Sequence, residues 1–336
     1  ASMGKAAGPP LVEALEDENR YVRNAVMRAL KGIGTPAVGA LLPAMRDALN
    51  PKIREYAAEA LGTIGESAGP AVPDLLDILG DPVPEVRHAA AVALRSIGTA
   101  GVPWLLEALA DRDPAERWLA AWTLERLGTD AAAAAPALCY ALQDKRAEVR
   151  ERVYAALEGA GPVPAEKVGS LADALASTVP ATRCAAASVL GRSGPEAASA
   201  AGALAGLATD PEADVRRAAA VALGRIGPGA RSALDSLLGL LKDPEPEVRS
   251  SAAIAMANVG PAEKVAPILS GLLAGCEPVE RIVLIRSLGK IGPGAIGAAP
   301  GLLDLTESPE SAAASAAGAA LEEIVRPAAR SEDHTS

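Results

Sequence analysis

The chain has 336 residues, half of them hydrophobic, yet aromatics make up only 2 % and phenylalanine is absent. Alanine and leucine fill the narrow gaps between stacked helices where a mixed globular core would use rings, so helix-on-helix packing is favoured. The 32 glycines and 27 prolines exclude long unbroken helices, and a net charge of −10 works against non-specific nucleic-acid binding while leaving a basic partner compatible.

In chain order, an arginine recurs at Arg23, Arg54, Arg87, Arg117, Arg150, Arg183, Arg216, Arg249 and Arg281. Seven residues after each comes Leu30, Leu61, Leu94, Leu124, Leu157, Leu190, Leu223, Met256 or Leu288. Eleven after each comes Gly34, Gly65, Gly98, Gly128, Gly161, Gly194, Gly227, Gly260 or Gly292. Offsets 0, 3, 7 and 10 from the arginine fall in one arc of a helix, which predicts a buried stripe. The glycine predicts a left-handed helix stop.

Upstream of these helices lie second apolar segments, at 72–79, 102–109, 234–241, 265–273 and 302–305. Pro73, Pro103, Pro136, Pro267 and Pro300 are expected in their first turns, where a missing N–H costs nothing. Each unit is therefore predicted to be an antiparallel helix pair that buries its faces against its neighbours. A tenth unit near 300–325 has Ala314 in place of the arginine and Val325 in place of the glycine, as suits a cap. Residues 327–336 are expected to be a disordered polar tail.

Units such as DPEADVRRAAAVALGRIG at 210–227 resemble HEAT repeats of the phycobilisome-lyase-like type. The resemblance covers essentially the whole chain. It implies an all-α fold, an α-α superhelix built as one right-handed solenoid of about ten helix pairs over 1–326. An elongated monomer is expected. It also implies an Asp–Arg ladder tying adjacent units together, made by the nine arginines with Asp17, Asp81, Asp111, Asp144, Asp210 and Asp243. Each aspartate lies six residues before an arginine and can offset the cost of a cation near a helix N-terminus. Ser177 replaces the aspartate in the sixth unit, and the second and ninth offer Asn50 and Glu277 at shorter spacing.

Catalysis finds little footing. His88 and His334 are the only histidines, no nucleophile elbow, phosphate loop or zinc-helix motif occurs, and the Gly-Pro-Gly runs at 227–229 and 292–294 each follow a helix stop. Cys139, Cys184 and Cys276 are scattered, which suggests neither disulfides nor zinc and leads to the expectation of a reducing, cytoplasmic setting. No apolar run approaches the roughly 18 residues of a membrane span, and the first residues lack a signal-peptide core. No enzyme activity, metal or cofactor is expected.

All three tryptophans fall in the fourth unit. Trp104 is expected in the core. Trp118 and Trp122, at offsets 1 and 5, share an outward helix face on which other units carry mostly small or polar groups. The resemblance places that face on the concave surface. A binding patch is expected there, comprising Trp118, Trp122, His88 and Val92, ringed by Glu125, Glu151 and Glu158 and suited to a protein or peptide with basic flanks. A protein-interaction scaffold is the leading reading. The resemblance offers a bilin or tetrapyrrole binder as an alternative, and a nucleic-acid solenoid ranks last because of the acidic face.

Overall fold

The computed structural model describes residues 2–47, 49–308 and 310–326, with the side chains of 2–7 left out of account. The predicted tail, including His334, lies outside the described residues. The chain divides into two compact units, Ala1–Gly161 and Pro162–Ser336, where the register alone led to one solenoid. The division falls in the extended segment 160–164, which replaces the usual turn between helices.

The first unit contains α1 (Ser2–Glu13), α2 (Arg20–Ile33), α3 (Thr35–Met45), α4 (Pro51–Ile64) and α5 (Val72–Asp77). It continues with α6 (Pro84–Ile97), α7 (Val102–Leu109), α8 (Pro114–Leu127), α9 (Ala135–Ala141) and α10 (Ala147–Gly159). The second contains α11 (Ala165–Ala174), α12 (Pro180–Ser193), α13 (Ala201–Gly206), α14 (Ala213–Ile226) and α15 (Leu234–Leu240). After these come α16 (Pro246–Val259), α17 (Ala262–Leu272), α18 (Pro278–Ile291), α19 (Ala299–Thr306) and α20 (Ser311–Val325). No strand occurs among the described residues.

The even-numbered helices are those the arginine register marks, with α20 as the degenerate tenth. Each packs on the helix before it and, within a unit, on the next even helix. The residues seven after the arginines, Leu30 to Leu288 with Met256 among them, are all buried. Helix stacking therefore rests on a leucine column in each unit, where burial of one such side chain contributes about 1.5–3 kcal/mol.

Seven of the nine register glycines adopt the left-handed conformation, at φ values from +58° to +73°. Gly161 and Gly260 do not, contrary to expectation. After Gly260 the next helix starts within two residues, so the backbone crosses in an extended form (φ −94°, ψ 157°). Elsewhere a short 3₁₀ segment usually follows the glycine and needs the reversed φ. Pro267 also departs from prediction, lying inside α17 and not in its first turn.

Two stretches, Pro84–Leu109 and Pro278–Thr306, are long and apolar enough to cross a membrane by length and composition, with a mean hydropathy of 1.3. Each is a helix pair folded at Gly98 or Gly292, where φ is +59° or +69°.

Glycine has a second role that the register does not announce. Eight residues after the arginine, Gly62, Gly191, Gly224 and Gly289 face an alanine of the next even helix. A Cβ on any of them would lie 2.8–3.0 Å from the Cα of Ala93, Ala222, Ala255 or Ala320. These helices approach nearly backbone to backbone. At the same offset, α8 carries Glu125 and α10 carries Glu158.

Candidate functional site

The arginine column makes the predicted ladder, but the chemistry of each rung differs from the expectation. Arg54, Arg117, Arg183 and Arg216 each grip a carboxylate 27 residues on, at Asp81, Asp144, Asp210 and Asp243. Nε and Nη2 donate to the two oxygens at 2.5–3.1 Å, a bidentate fork. The aspartate six residues before an arginine does not pair with it through its carboxylate. Its backbone carbonyl accepts from Nη1 instead, as Asp210 does from Arg216 at 2.9 Å. Asp81, Asp144, Asp210 and Asp243 thus each serve two elements. Asp81 accepts from Arg54 of the previous pair and from the Val83 N–H at 2.8 Å, holding the turn into α6.

Several expected rungs do not form. Asp17 and Asp111 accept the N–H groups of Asn19 and Asp113, with no arginine pair among the described residues. Among the described residues Arg87 reaches only the carbonyls of Asp81 and Pro82 and is exposed, because the interval to the fourth unit is three residues shorter than the 33 usual elsewhere. Arg150 donates to the Asp144 carbonyl at 2.8 Å, and Ser177 occupies the sequence position of its aspartate. Arg249 pairs with Glu280, and Arg281 reaches Glu310 at 3.1 Å, not the Glu277 offered within its own unit.

The arginine forks hold the Asp81, Asp144 and Asp243 carboxyls below the ordinary range. At Asp210 burial pushes upward, but the bonds from Arg183 and the Glu212 N–H outweigh it and the net shift is also down. Depressed carboxyls stabilise the fold fully above the unfolded aspartate value of about 3.9, and that stability is lost as pH falls through their lower folded values. Burial raises Glu59, Asp77 and Glu116, so protonating them as pH falls toward that value relieves the folded state. Stability followed by circular dichroism in urea should therefore rise slightly on mild acidification and collapse below about pH 4. Arg216→Ala/Asp243→Ala should show a smaller collapse.

Trp118 and Trp122 are both half-buried on α8 and lie nearly parallel, with centroids 6.4 Å apart at 10°. One helical turn separates them, which brings the rings side by side. The guanidinium of Arg126 lies over Trp122 at 5.3 Å, and that of Arg152, from α10, over Trp118 at 5.9 Å. The order is cation, ring, ring, cation. Arg152 also binds Glu125 at 3.1 Å. Of the expected acidic ring, Glu125 is thereby engaged. Glu125 is paired with Arg152, and a guanidinium lies over each indole. Glu151 and Glu158 are exposed on α10. Neither Arg126 nor Arg152 was legible as a partner of the rings, although Arg126 lies four residues after Trp122.

His88 and Val92 belong to a different part of the same register face. Both are exposed and line an open cavity of about 600 Å³ with Arg20, Arg23, Met27 and Tyr56 from α2 and α4. The guanidinium of Arg23 lies 5.0 Å from the Tyr56 ring centroid. Trp104, expected in the core, is half-buried and borders a cavity of about 330 Å³ with Asp77, Glu107, Asp111 and Glu116. No group of three metal-ligating side chains lies together among the described residues.

Paired helices, a shared arginine column and aspartates reused between neighbours define a helical-repeat protein. The chain belongs to the HEAT-repeat family, whose model matches residues 38–103, 72–158, 168–257 and 200–289. That match does not single out the lyase-like type. An engineered protein of known structure is 23 % identical, with 94 % of this chain and 98 % of that chain covered at a TM-score of 0.48. Kap121p is 15 % identical, with 96 % of this chain and 41 % of that chain covered at a TM-score of 0.55. Kap121p bound to the extreme C-terminus of the protein phosphatase Cdc14p is 16 % identical, with 94 % and 41 % covered at 0.55. The chain thus spans well under half the length of Kap121p, and at these identities the likeness concerns the fold. No curated protein sequence matches.

Proposed function

We propose that the chain is a non-catalytic scaffold that holds a segment of a partner protein on the face formed by α2, α4, α6, α8 and α10. The stacked pair Trp118–Trp122 carries this reading. Two half-exposed indoles held rigid between guanidinium groups present a large apolar area at little conformational cost, the character of an interface anchor. HEAT-family membership and the Kap121p structures bound to Cdc14p and Ste12p support a protein as the partner. The rings' cationic neighbours favour a segment without basic flanks beside them. Burial raises the Cys184 and Cys276 thiols, which makes them poor nucleophiles and supports a non-catalytic role.

Panning a displayed random-peptide library on the intact chain should yield binders that Trp118→Ala weakens by about 2 kcal/mol, roughly 30-fold. Leu303→Ala, at an exposed position of the second unit, should leave them unchanged. Binders indifferent to both Trp118→Ala and Trp122→Ala would overturn the assignment.

A further inference from the structure

The ladder contains one arginine whose fork is open toward a cavity. In the four bidentate rungs, Nε and Nη2 are occupied by an aspartate 27 residues on. For Arg23 that position is Asn50, whose side-chain oxygen caps α4 and whose amide donates to Glu16 at 2.6 Å. Arg23 retains only the Nη1 bonds, to the carbonyls of Asp17 and Glu18 at 2.7 and 3.0 Å. Its Nε and Nη2 make no hydrogen bond among the described residues. Arg87 and Arg150 also lack a carboxylate among the described residues, but neither lines a cavity like this one.

Three features make the Arg23 fork a prepared site. Tyr56 packs against the guanidinium at 5.0 Å and fixes its plane. Arg20 brings a second positive charge to the same cavity of about 600 Å³. Met27 and Val92 give it apolar wall. We infer that Arg23, with Arg20 and Tyr56, binds a carboxylate of a protein segment in the place that an aspartate fills in the complete rungs.

A planar guanidinium edge matches a carboxylate with two parallel N–H···O bonds. Glu59 lines the same cavity, so a dianionic phosphate meets repulsion that a monoanionic carboxylate meets less. The inference rests on the protein-binding reading and supplies it with a charge preference, acidic where the sequence suggested basic.

The test uses the full chain labelled with ¹⁵N and follows the arginine Nε–H resonances, with Arg23 assigned by its loss in Arg23→Lys. The probes are acetyl-Leu-Glu-Leu-amide, acetyl-Leu-Gln-Leu-amide, and acetyl-Leu-Gln-Leu with a free C-terminal carboxylate. A saturable shift at Arg23 with either carboxylate-bearing peptide, absent with the uncharged amide, is expected. Comparing the two shows whether a side chain or a chain end is preferred. The Arg216 resonance, already in a complete rung, should stay still.

Glu16→Gln/Asn50→Asp installs the missing aspartate while removing the facing carboxylate. It should weaken probe binding at least tenfold. Trp118→Ala should leave probe binding unchanged, so failure of the tryptophan site and failure of this site are read separately. Equal shifts with all three peptides, binding that survives Glu16→Gln/Asn50→Asp, or saturation by inorganic phosphate at lower concentration than by the peptides would each overturn the inference.

Discussion

Arg216→Ala should lower stability by about 3 kcal/mol, although Arg216 lies far along the chain from the tryptophan face. The Arg216 and Asp243 side chains are 12 % and 5 % exposed, so neither charge is well hydrated. Removing the guanidinium strands the carboxylate, which keeps its bond from the Glu245 N–H but loses both arginine bonds. It also releases the Asp210 and Pro211 carbonyls at the entrance to α14. The double variant Arg216→Ala/Asp243→Ala should recover part of the loss, because no uncompensated charge remains. Urea midpoints measure the effect, and hydrogen exchange in α14 and α16 should localise it. A midpoint equal to the parent's would show that the fork contributes nothing net.

Gly224→Ala and Gly318→Ala should move stability in opposite directions. Both glycines lie inside helices, where alanine is the better helix former by about 1 kcal/mol. At Gly318 there is open space around the new methyl, and that gain should be realised. At Gly224 the methyl would sit 2.9 Å from the Ala255 Cα and 3.0 Å from its Cβ, and backbone cannot yield as a flexible side chain can. Forcing α14 and α16 apart should cost about 1–3 kcal/mol and outweigh the propensity gain. Parallel urea titrations decide the matter. If both variants gain stability, the close approach of these helices is wrong.

Much of the fold was legible from local spacing. The arginine, leucine and glycine columns marked nine helices because burial on one side of a helix imposes its own period. Helix stops were legible wherever a left-handed residue was needed. The two exceptions, Gly161 and Gly260, were not, because φ there depends on the length of the connection that follows.

The site was less legible, for a related reason. A helical period says which residues share a face, so Trp118 and Trp122 could be placed side by side and Arg216 near a helix entrance. It does not say which residue of the next helix lies opposite. That is set by the rise and rotation between repeats, which only packing fixes. The aspartate six residues back was near in sequence and therefore suspected, whereas the carboxylate that arrives is 27 residues ahead. By itself the sequence determined the repeat, its helices and the residues turned outward. Tertiary structure decided that Arg152 covers Trp118, that Glu125 is spent on Arg152, and that Arg23 alone among the ladder arginines presents an unfilled fork to this cavity, because each depends on side chains brought together from different repeats.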